Sequence, residues 1–193
     1  RFKEKIGFFS KKRNEGKLIW FHGASVGEIQ SIIPLVERFE KNKEIKQILI
    51  TSNTVSSSFI IKNLKLKKTI HQFFPIDCNF ISKRFLNYWK PSKAFFIDSE
   101  IWPITINNLY KRSTPIFLIN GRITKKSFNR WKVFSSFAKS IFSKFDLCLS
   151  SNIETKKYLK KLGAKNIKII GNLKFSQSEN EKTNLNKNLV NLI

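Results

Sequence analysis

The 193-residue chain carries 37 Lys and Arg against 13 Asp and Glu, which gives a formal net charge of +24 and a pI of about 10.2. Its hydrophobic content of 41% and its length suit one sizeable globular domain. No apolar run in the sequence approaches the ~20 residues of a membrane-spanning helix, and no Cys-x-x-Cys pair occurs. The charge favours anionic partners, although an excess of Lys, Asn and Ile is equally typical of an AT-rich genome.

Short apolar runs alternate with helical patterns, and this alternation predicts an α/β fold: a parallel sheet with helices on both faces. Seven strands are predicted, at 18–21, 47–51, 70–74, 94–98, 116–120, 147–150 and 167–170. Six helices are predicted, near 28–40, 54–64, 79–89, 102–111, 125–143 and 152–162. Pro34 is expected to kink or split the first helix, and Gly163 to cap the last one.

The sequence divides into three predicted segments. Residues 1–17 are basic and poorly periodic, which indicates a surface lead-in, and residues 18–176 form the predicted domain. Residues 177–193 are polar and indicate a linker or the start of another domain. Because Met is absent, we expect that the natural N-terminus has been lost and that any anchor would lie upstream. Cys148 lies in an apolar run and is expected to be a buried, reduced thiol.

The most informative stretch is the loop His22-Gly-Ala-Ser-Val-Gly-Glu28, between the first predicted strand and helix. Such a loop lies where substrates commonly bind in parallel sheets, and its glycines let the backbone approach a ligand. Glu28 is placed there to accept a proton from a hydroxyl. Ser25-x-x-Glu28 is equally a capping box, in which Glu28 reaches back to the Ser25 amide, and both interpretations stay open. Ser151-x-x-Glu154 has the same pattern with no sign of chemistry.

A second acidic loop, Ser99-Glu-Ile-Trp-Pro103, follows the predicted strand at 94–98. It brings Glu100 and Trp102 to another strand end, while Pro103 suits a helix first turn. Glu100 could simply favour the positive end of that helix, and Trp102 could simply belong to the core. Two acidic loops at two strand ends nevertheless indicate a shared crevice.

Two more loops follow predicted strands and offer groups that bind anions. Asn120-Gly-Arg-Ile123 contributes Asn120 and Arg122, and the Arg122 guanidinium could hold a phosphate or a carboxylate, or be a surface charge. Gly171-Asn-Leu-Lys-Phe175 contributes Lys174, a weak signal among so many lysines.

Several other classes of site are not indicated by the sequence. His22 and His71 lack the spacing of metal ligands, so no metal is predicted. Neither Gly-x-Gly-x-x-Gly nor a Gly-Lys-Ser/Thr phosphate loop is present. Most Phe and Trp lie within apolar runs, where core packing explains them, so nucleic acid is not expected as a partner.

In this order and spacing, the four loops resemble the N-terminal domain of the 3-deoxy-D-manno-octulosonic acid (Kdo) transferase family. These proteins are glycosyltransferases of the lipopolysaccharide inner core. The resemblance covers about residues 1–175. The resemblance implies a Rossmann-like acceptor-binding domain, the N-terminal half of a GT-B enzyme. It also implies a monotopic location on the cytoplasmic face of the bacterial inner membrane. On this resemblance, we expect the anchor and the donor domain that would bind CMP-Kdo to lie outside this chain. Asp98 and Ser176 stand where the family often has Glu and Asp.

The resemblance implies a role for each loop in transfer of Kdo from CMP-Kdo to the lipid A precursor lipid IVA. Glu28 maps onto the proposed catalytic base and Glu100 onto a second active-site carboxylate. The residues expected to support the site or bind substrate are Ser25, Gly27, Trp102, Asn120, Arg122 and Lys174. No cofactor is expected beyond the donor substrate, and the positive charge is expected to favour an anionic membrane surface. The chain alone is expected to lack transferase activity while still binding the phosphorylated acceptor.

Two other functions remain open. One is a different GT-B nucleotide-sugar transferase, which acceptor screening would separate. The other is a non-catalytic basic domain that binds nucleic acid, with a steep dependence on salt.

Overall fold

The computed structural model describes residues 2–171, which form one parallel sheet with helices on both faces. The strands are Lys17–His22 (β1), Ile45–Ser52 (β2), Thr69–Phe73 (β3), Lys93–Ile97 (β4), Ile116–Gly121 (β5), Leu147–Ser150 (β6) and Ile167–Ile169 (β7). The helices are Phe2–Lys5 (α1), Val26–Lys41 (α2), Val55–Asn63 (α3), Asn79–Trp89 (α4), Pro103–Tyr110 (α5), Lys125–Val133 (α6), Ser135–Phe142 (α7) and Ile153–Leu162 (α8). The predicted α/β architecture and all seven strands are confirmed.

The sheet separates two apolar layers. Successive side chains of a strand point to opposite faces, so in β1 Ile19 and Phe21 pack beneath α2 and α3, while Leu18 and Trp20 pack toward α4 and α5. Both faces of the central strands are therefore buried, which explains why they appear in the sequence as continuous apolar runs rather than alternating ones.

The strand order β3-β2-β1-β4-β5-β6-β7 places a topological switch point between β1 and β4. The chain builds outward from β1 to β3, returns through α4 to pair β4 with β1, and then builds in the other direction. The loops that follow β1 and β4 consequently diverge to opposite faces and leave a crevice at the carboxyl ends of the strands. In open parallel sheets, this crevice is the usual ligand site.

Two predicted helices differ from the observed ones. α2 runs unbroken from Val26 to Lys41, so Pro34 does not split it, because the apolar side of the helix is buried against the sheet on both sides of the proline. The helix predicted at 125–143 is instead two helices, which meet at Phe134 with a non-helical φ of −110° and ψ of 59°. After this break, α7 buries Ile141 and Phe142 in the core.

The segment 1–17 was predicted to be a surface lead-in; most of its described residues are exposed, while the side chains of Glu4 and Phe9 contact the domain. The Glu4 carboxylate accepts a hydrogen bond from the Phe73 backbone N–H at 2.7 Å, and the Phe9 and Tyr88 rings stack with centroids 3.8 Å apart. Glu4 thereby supplies an acceptor to β3, which is an edge strand with a neighbouring strand on one side only.

The capping box predicted at Ser151-x-x-Glu154 is wrong. The N-cap of α8 is Asn152, whose Oδ1 accepts from the Thr155 N–H at 2.7 Å. Ser151 instead donates its hydroxyl to the Gly121 carbonyl, and the Glu154 carboxylate accepts from the Tyr158 hydroxyl.

Three smaller predictions are confirmed. Pro103 is the first residue of α5, and Gly163 ends α8 with a left-handed φ of 109°. Cys148 is a buried free thiol, and burial raises its pKa to about 12, which keeps it protonated and inert.

Among residues 2–171, no helix combines the length and the apolarity needed to span a bilayer.

Candidate functional site

Glu28 lies in the first turn of α2, at the mouth of the crevice, and its carboxylate is held by the loop that precedes the helix. The Ala24 N–H donates to Oε2 at 2.8 Å, and the Ser25 hydroxyl donates to Oε1 at 2.8 Å. Ser25 is also the N-cap, because its Oγ accepts from the Glu28 N–H at 3.4 Å. The capping interpretation is therefore right about Ser25 and wrong about the amide, since Glu28 reaches that of Ala24. Capping and chemistry are compatible at this residue.

The surroundings of Glu28 increase its affinity for a proton. Burial raises the pKa of this carboxyl, and the hydrogen bonds from Ser25 and Ala24 oppose that shift. The negative charges of Glu100 and Asp98 raise the pKa further. A carboxylate with a raised pKa is a better proton acceptor near neutral pH than an ordinary surface glutamate.

Glu100 follows β4 across the crevice, and two ring N–H groups hold it. Its Oε2 lies 3.1 Å from His22 Nε2 and 3.0 Å from Trp102 Nε1. An ionised carboxylate only accepts, so His22 Nε2 carries a proton in this arrangement. The Glu100 side chain is 14% exposed, so it reaches the crevice while remaining fixed in position.

His22, whose spacing in the sequence does not suit a metal ligand, contacts the candidate site through Glu100. It is fully buried at the end of β1, and its ring stacks on Phe74 with centroids 3.8 Å apart. Its Nδ1 lies 3.0 Å from Thr51 Oγ1, and Thr51 also accepts from Trp20 Nε1 at 2.9 Å. A chain of polar contacts thus runs from the core through Thr51 and His22 to Glu100. Thr51 and Phe74 are distant in the sequence, and no local pattern connects them with His22.

Asn120 and Asp98 form a second polar pair, at the ends of β5 and β4. Both residues have left-handed φ values, 53° and 57°, and Asn120 Nδ2 donates to Asp98 Oδ1. The Arg122 N–H donates to the Asp98 carbonyl at 3.1 Å, while the Arg122 side chain is exposed. Asn120 is only 2% exposed, so it joins two loops beneath the site rather than facing open solvent.

The glycine that the site requires sterically is Gly23. A Cβ built there would lie 3.2 Å from Glu28 Cβ and 3.2 Å from Ile29 Cδ1, which is closer than side chains normally pack. Gly27, a predicted site residue, lies exposed in the first turn of α2.

The structure therefore brings Ser25, Glu28, Glu100 and Trp102 together at the switch point and places Asn120 beneath them. Lys174 and most of its loop lie outside the described residues. Within residues 2–171, no group of three or more His, Cys, Asp or Glu side chains is arranged to hold a metal ion. The arrangement can accept a proton at Glu28 and present a fixed negative charge at Glu100.

A parallel sheet with helices on both faces and a switch point between β1 and β4 defines a Rossmann-like domain. Domains of this type are found in GT-B proteins. A solved structure with this fold is the UDP-N-acetylglucosamine 2-epimerase from Rickettsia bellii, with a TM-score of 0.56 over 93% of this chain and 48% of that one. At 12% sequence identity, the likeness concerns the fold alone.

Residues 1–177 match the family described as 3-Deoxy-D-manno-octulosonic-acid transferase (kdotransferase), and the chain belongs to this glycosyltransferase family. It is 37% identical over 97% of its length to the 3-deoxy-D-manno-octulosonic acid transferase of Rickettsia bellii, and 27% identical over 94% to that of Haemophilus influenzae. A probable mitochondrial enzyme of the same name from Arabidopsis thaliana is 36% identical over 76% of the chain. The chain spans 44%, 43% and 33% of these three proteins, less than half of each.

Proposed function

We propose that this chain supplies the acceptor site and the catalytic base of a Kdo transferase of lipopolysaccharide synthesis. The observation that carries the proposal is the Glu28 carboxylate: it is half-buried at the switch point, held by two donors, and has a pKa raised by burial. Family membership supports the reaction class. The proposal assigns the binding of CMP-Kdo to a second half of the enzyme, since the Rickettsia bellii relative is more than twice as long as this chain.

In the proposed reaction, Glu28 takes the proton from the primary hydroxyl of the glucosamine disaccharide of lipid IVA. The oxygen forms a bond to the anomeric carbon of Kdo, and the bond from that carbon to the CMP phosphate breaks, so CMP leaves with the electron pair. Glu100 accepts a hydrogen bond from a substrate hydroxyl in this proposal, because His22 and Trp102 hold its Oε2 and fix the carboxylate in position. The exposed Arg122 guanidinium is suited to an acceptor phosphate.

The acceptor is a lipid, so the proposal includes association with the anionic cytoplasmic face of the inner membrane. The net charge of +24 supports that association, since basic surfaces are drawn to acidic lipids. No cofactor beyond the donor is included in the mechanism.

The test is Kdo transfer from CMP-Kdo to lipid IVA by the full-length protein that carries both halves, comparing wild type with Glu28→Gln. Glutamine keeps the shape of the side chain but cannot act as a base, so we expect kcat to fall by about 10²–10⁴-fold. The matched control is Glu154→Gln, at the same position of a Ser-x-x-Glu pattern, which should leave transfer unchanged. Full transfer by Glu28→Gln, with both variants folded, would make Glu28 a cap only and direct attention to Glu100.

A further inference from the structure

The junction of α6 and α7 exposes apolar side chains to solvent although the two helices are firmly anchored. Val133, Phe134 and Phe137 are 75%, 69% and 50% exposed. On the inner side, the Phe128 ring stacks on Tyr158 at 4.5 Å, and the Trp131 ring meets Phe142 at 5.2 Å. The exposed residues therefore stand on a supported surface, and an apolar patch of this kind marks an interaction site.

This patch is surrounded by positive charge. Residues 101–145 contain nine Lys and Arg and no Asp or Glu. The exposed cations on the two helices are Lys125, Lys126, Arg130, Lys132 and Lys139. We call these five cations, together with Val133, Phe134 and Phe137, the α6–α7 face. Two copies that met through this same face would oppose like charges, and the face holds no carboxylate to pair them, so it is unsuited to symmetric self-association.

A cleft of about 390 Å³ adjoins the face, between α6, α7 and α8. Three lysines line it, Lys132, Lys139 and Lys161, together with Phe128, Ser135 and Leu162. The cleft combines ammonium groups with apolar walls. That combination suits a phosphate headgroup attached to an acyl chain.

We propose that the α6–α7 face docks on an anionic bilayer, with Phe134 and Phe137 entering the headgroup layer and the cations contacting lipid phosphates. Helices that lie in membrane interfaces combine these same two features, an aromatic or aliphatic side and a basic side. A nucleic acid would satisfy the cations but would leave Val133 without an apolar partner. The inference rests on the membrane association proposed above and adds the surface responsible for it.

The experiment is co-sedimentation of the 193-residue chain with vesicles of phosphatidylglycerol and phosphatidylcholine, and with vesicles of phosphatidylcholine alone. The apolar variant is Phe134→Ser with Phe137→Ser, and the charge variant is Lys132→Gln with Lys139→Gln. The matched control is Phe59→Ser with Lys62→Gln, which removes an exposed aromatic and a cation from α3 on the opposite face of the sheet. Since all of these positions are exposed, thermal unfolding should confirm that each variant folds.

We expect wild type to bind the anionic vesicles in preference to the neutral ones. The apolar and charge variants should each bind about tenfold more weakly, and the control should bind within about twofold of wild type.

If wild type does not bind anionic vesicles, membrane association itself is overturned. If wild type binds and the α6–α7 variants bind equally well, or no worse than the control, only this surface is overturned. Displacement of the chain from vesicles by polyuridylate, through the same residues and with tighter affinity, would assign the face to nucleic acid instead. None of these outcomes depends on the Glu28 chemistry, which the transfer assay tests separately.

Discussion

At the scale of single residues, the carboxylates of Glu28 and Glu100 lie in different surroundings. The Glu100 carboxylate accepts from two ring N–H groups, His22 Nε2 and Trp102 Nε1. Glu28 has hydrogen bonds too, but burial dominates and raises its pKa. Two nearby carboxylates in unlike surroundings are the usual way in which one site obtains both a proton acceptor and a fixed charge.

The raised pKa of Glu28 predicts the acid limb of the pH–rate profile. A base works only when deprotonated, so kcat/KM should rise with pH through the pKa of Glu28, with a midpoint above the ordinary range of a glutamate. In Glu100→Gln, one neighbouring negative charge is gone and Glu28 ionises more easily, so the midpoint should move to lower pH. The position of the limb is the measurement, since the plateau is also expected to fall. A midpoint that stays in place, or moves upward, would contradict the assigned coupling.

Single residues also show where sequence reasoning failed. His22 begins the loop that carries Glu28, yet its contacts are with Thr51, Phe74 and Glu100, which come from three other segments. Only the parallel pairing of β1 with β2 and β4 brings these groups to one point. Gly23 was missed as a steric requirement for the same kind of reason, because the clash would involve Glu28 and Ile29 only after the chain turns into α2.

At the scale of elements, the helix caps follow local chemistry, but the particular capping residue is decided by the surroundings. Ser25 caps α2 as predicted, whereas Ser151 lies one residue before the N-cap of α8 and donates its hydroxyl to the Gly121 carbonyl. Asn152, one residue later, takes the capping position. Two identical Ser-x-x-Glu patterns therefore have different outcomes.

The α8 assignment predicts the effect of two substitutions on stability. Asn152→Ala removes the acceptor of the Thr155 N–H and should lower the free energy of unfolding by about 1 kcal/mol. Glu154→Gln keeps a side-chain acceptor for the exposed Tyr158 hydroxyl and should change it by less than about 0.5 kcal/mol. Urea unfolding of the chain measures both. The reverse ranking would restore the Ser151-x-x-Glu154 capping box.

At the scale of the whole molecule, the chain spans 44% of the length of its Rickettsia bellii relative. The switch point lies at the carboxyl ends of β1 and β4, and the Rickettsia bellii relative is more than twice as long as this chain. Since a GT-B donor site belongs to the second half in our proposal, the parts needed for transfer are divided between the two halves.

This division predicts that the 193-residue chain alone transfers no Kdo from CMP-Kdo to lipid IVA, while the full-length protein does. The same chain should still bind phosphorylated acceptor in a salt-dependent manner, because the cations and the crevice are its own. Radiolabelled transfer measures the first statement, and acceptor binding at two salt concentrations measures the second. Turnover by the isolated chain would show that donor binding and chemistry both reside here, contrary to the proposal.

The sequence by itself determined the α/β class, all seven strands and the loops that carry Glu28 and Glu100, since apolar runs and strand-to-helix turns are local signals. The tertiary structure decided which of those loops meet, because strand order depends on pairing between distant segments. It also decided the break of the helix at Phe134 and the continuity of α2 through Pro34, where burial outweighed local preference. The tertiary structure also decided the exposed α6–α7 face. Composition showed its positive charge, but only the packed structure showed which aromatic side chains remain outside the core.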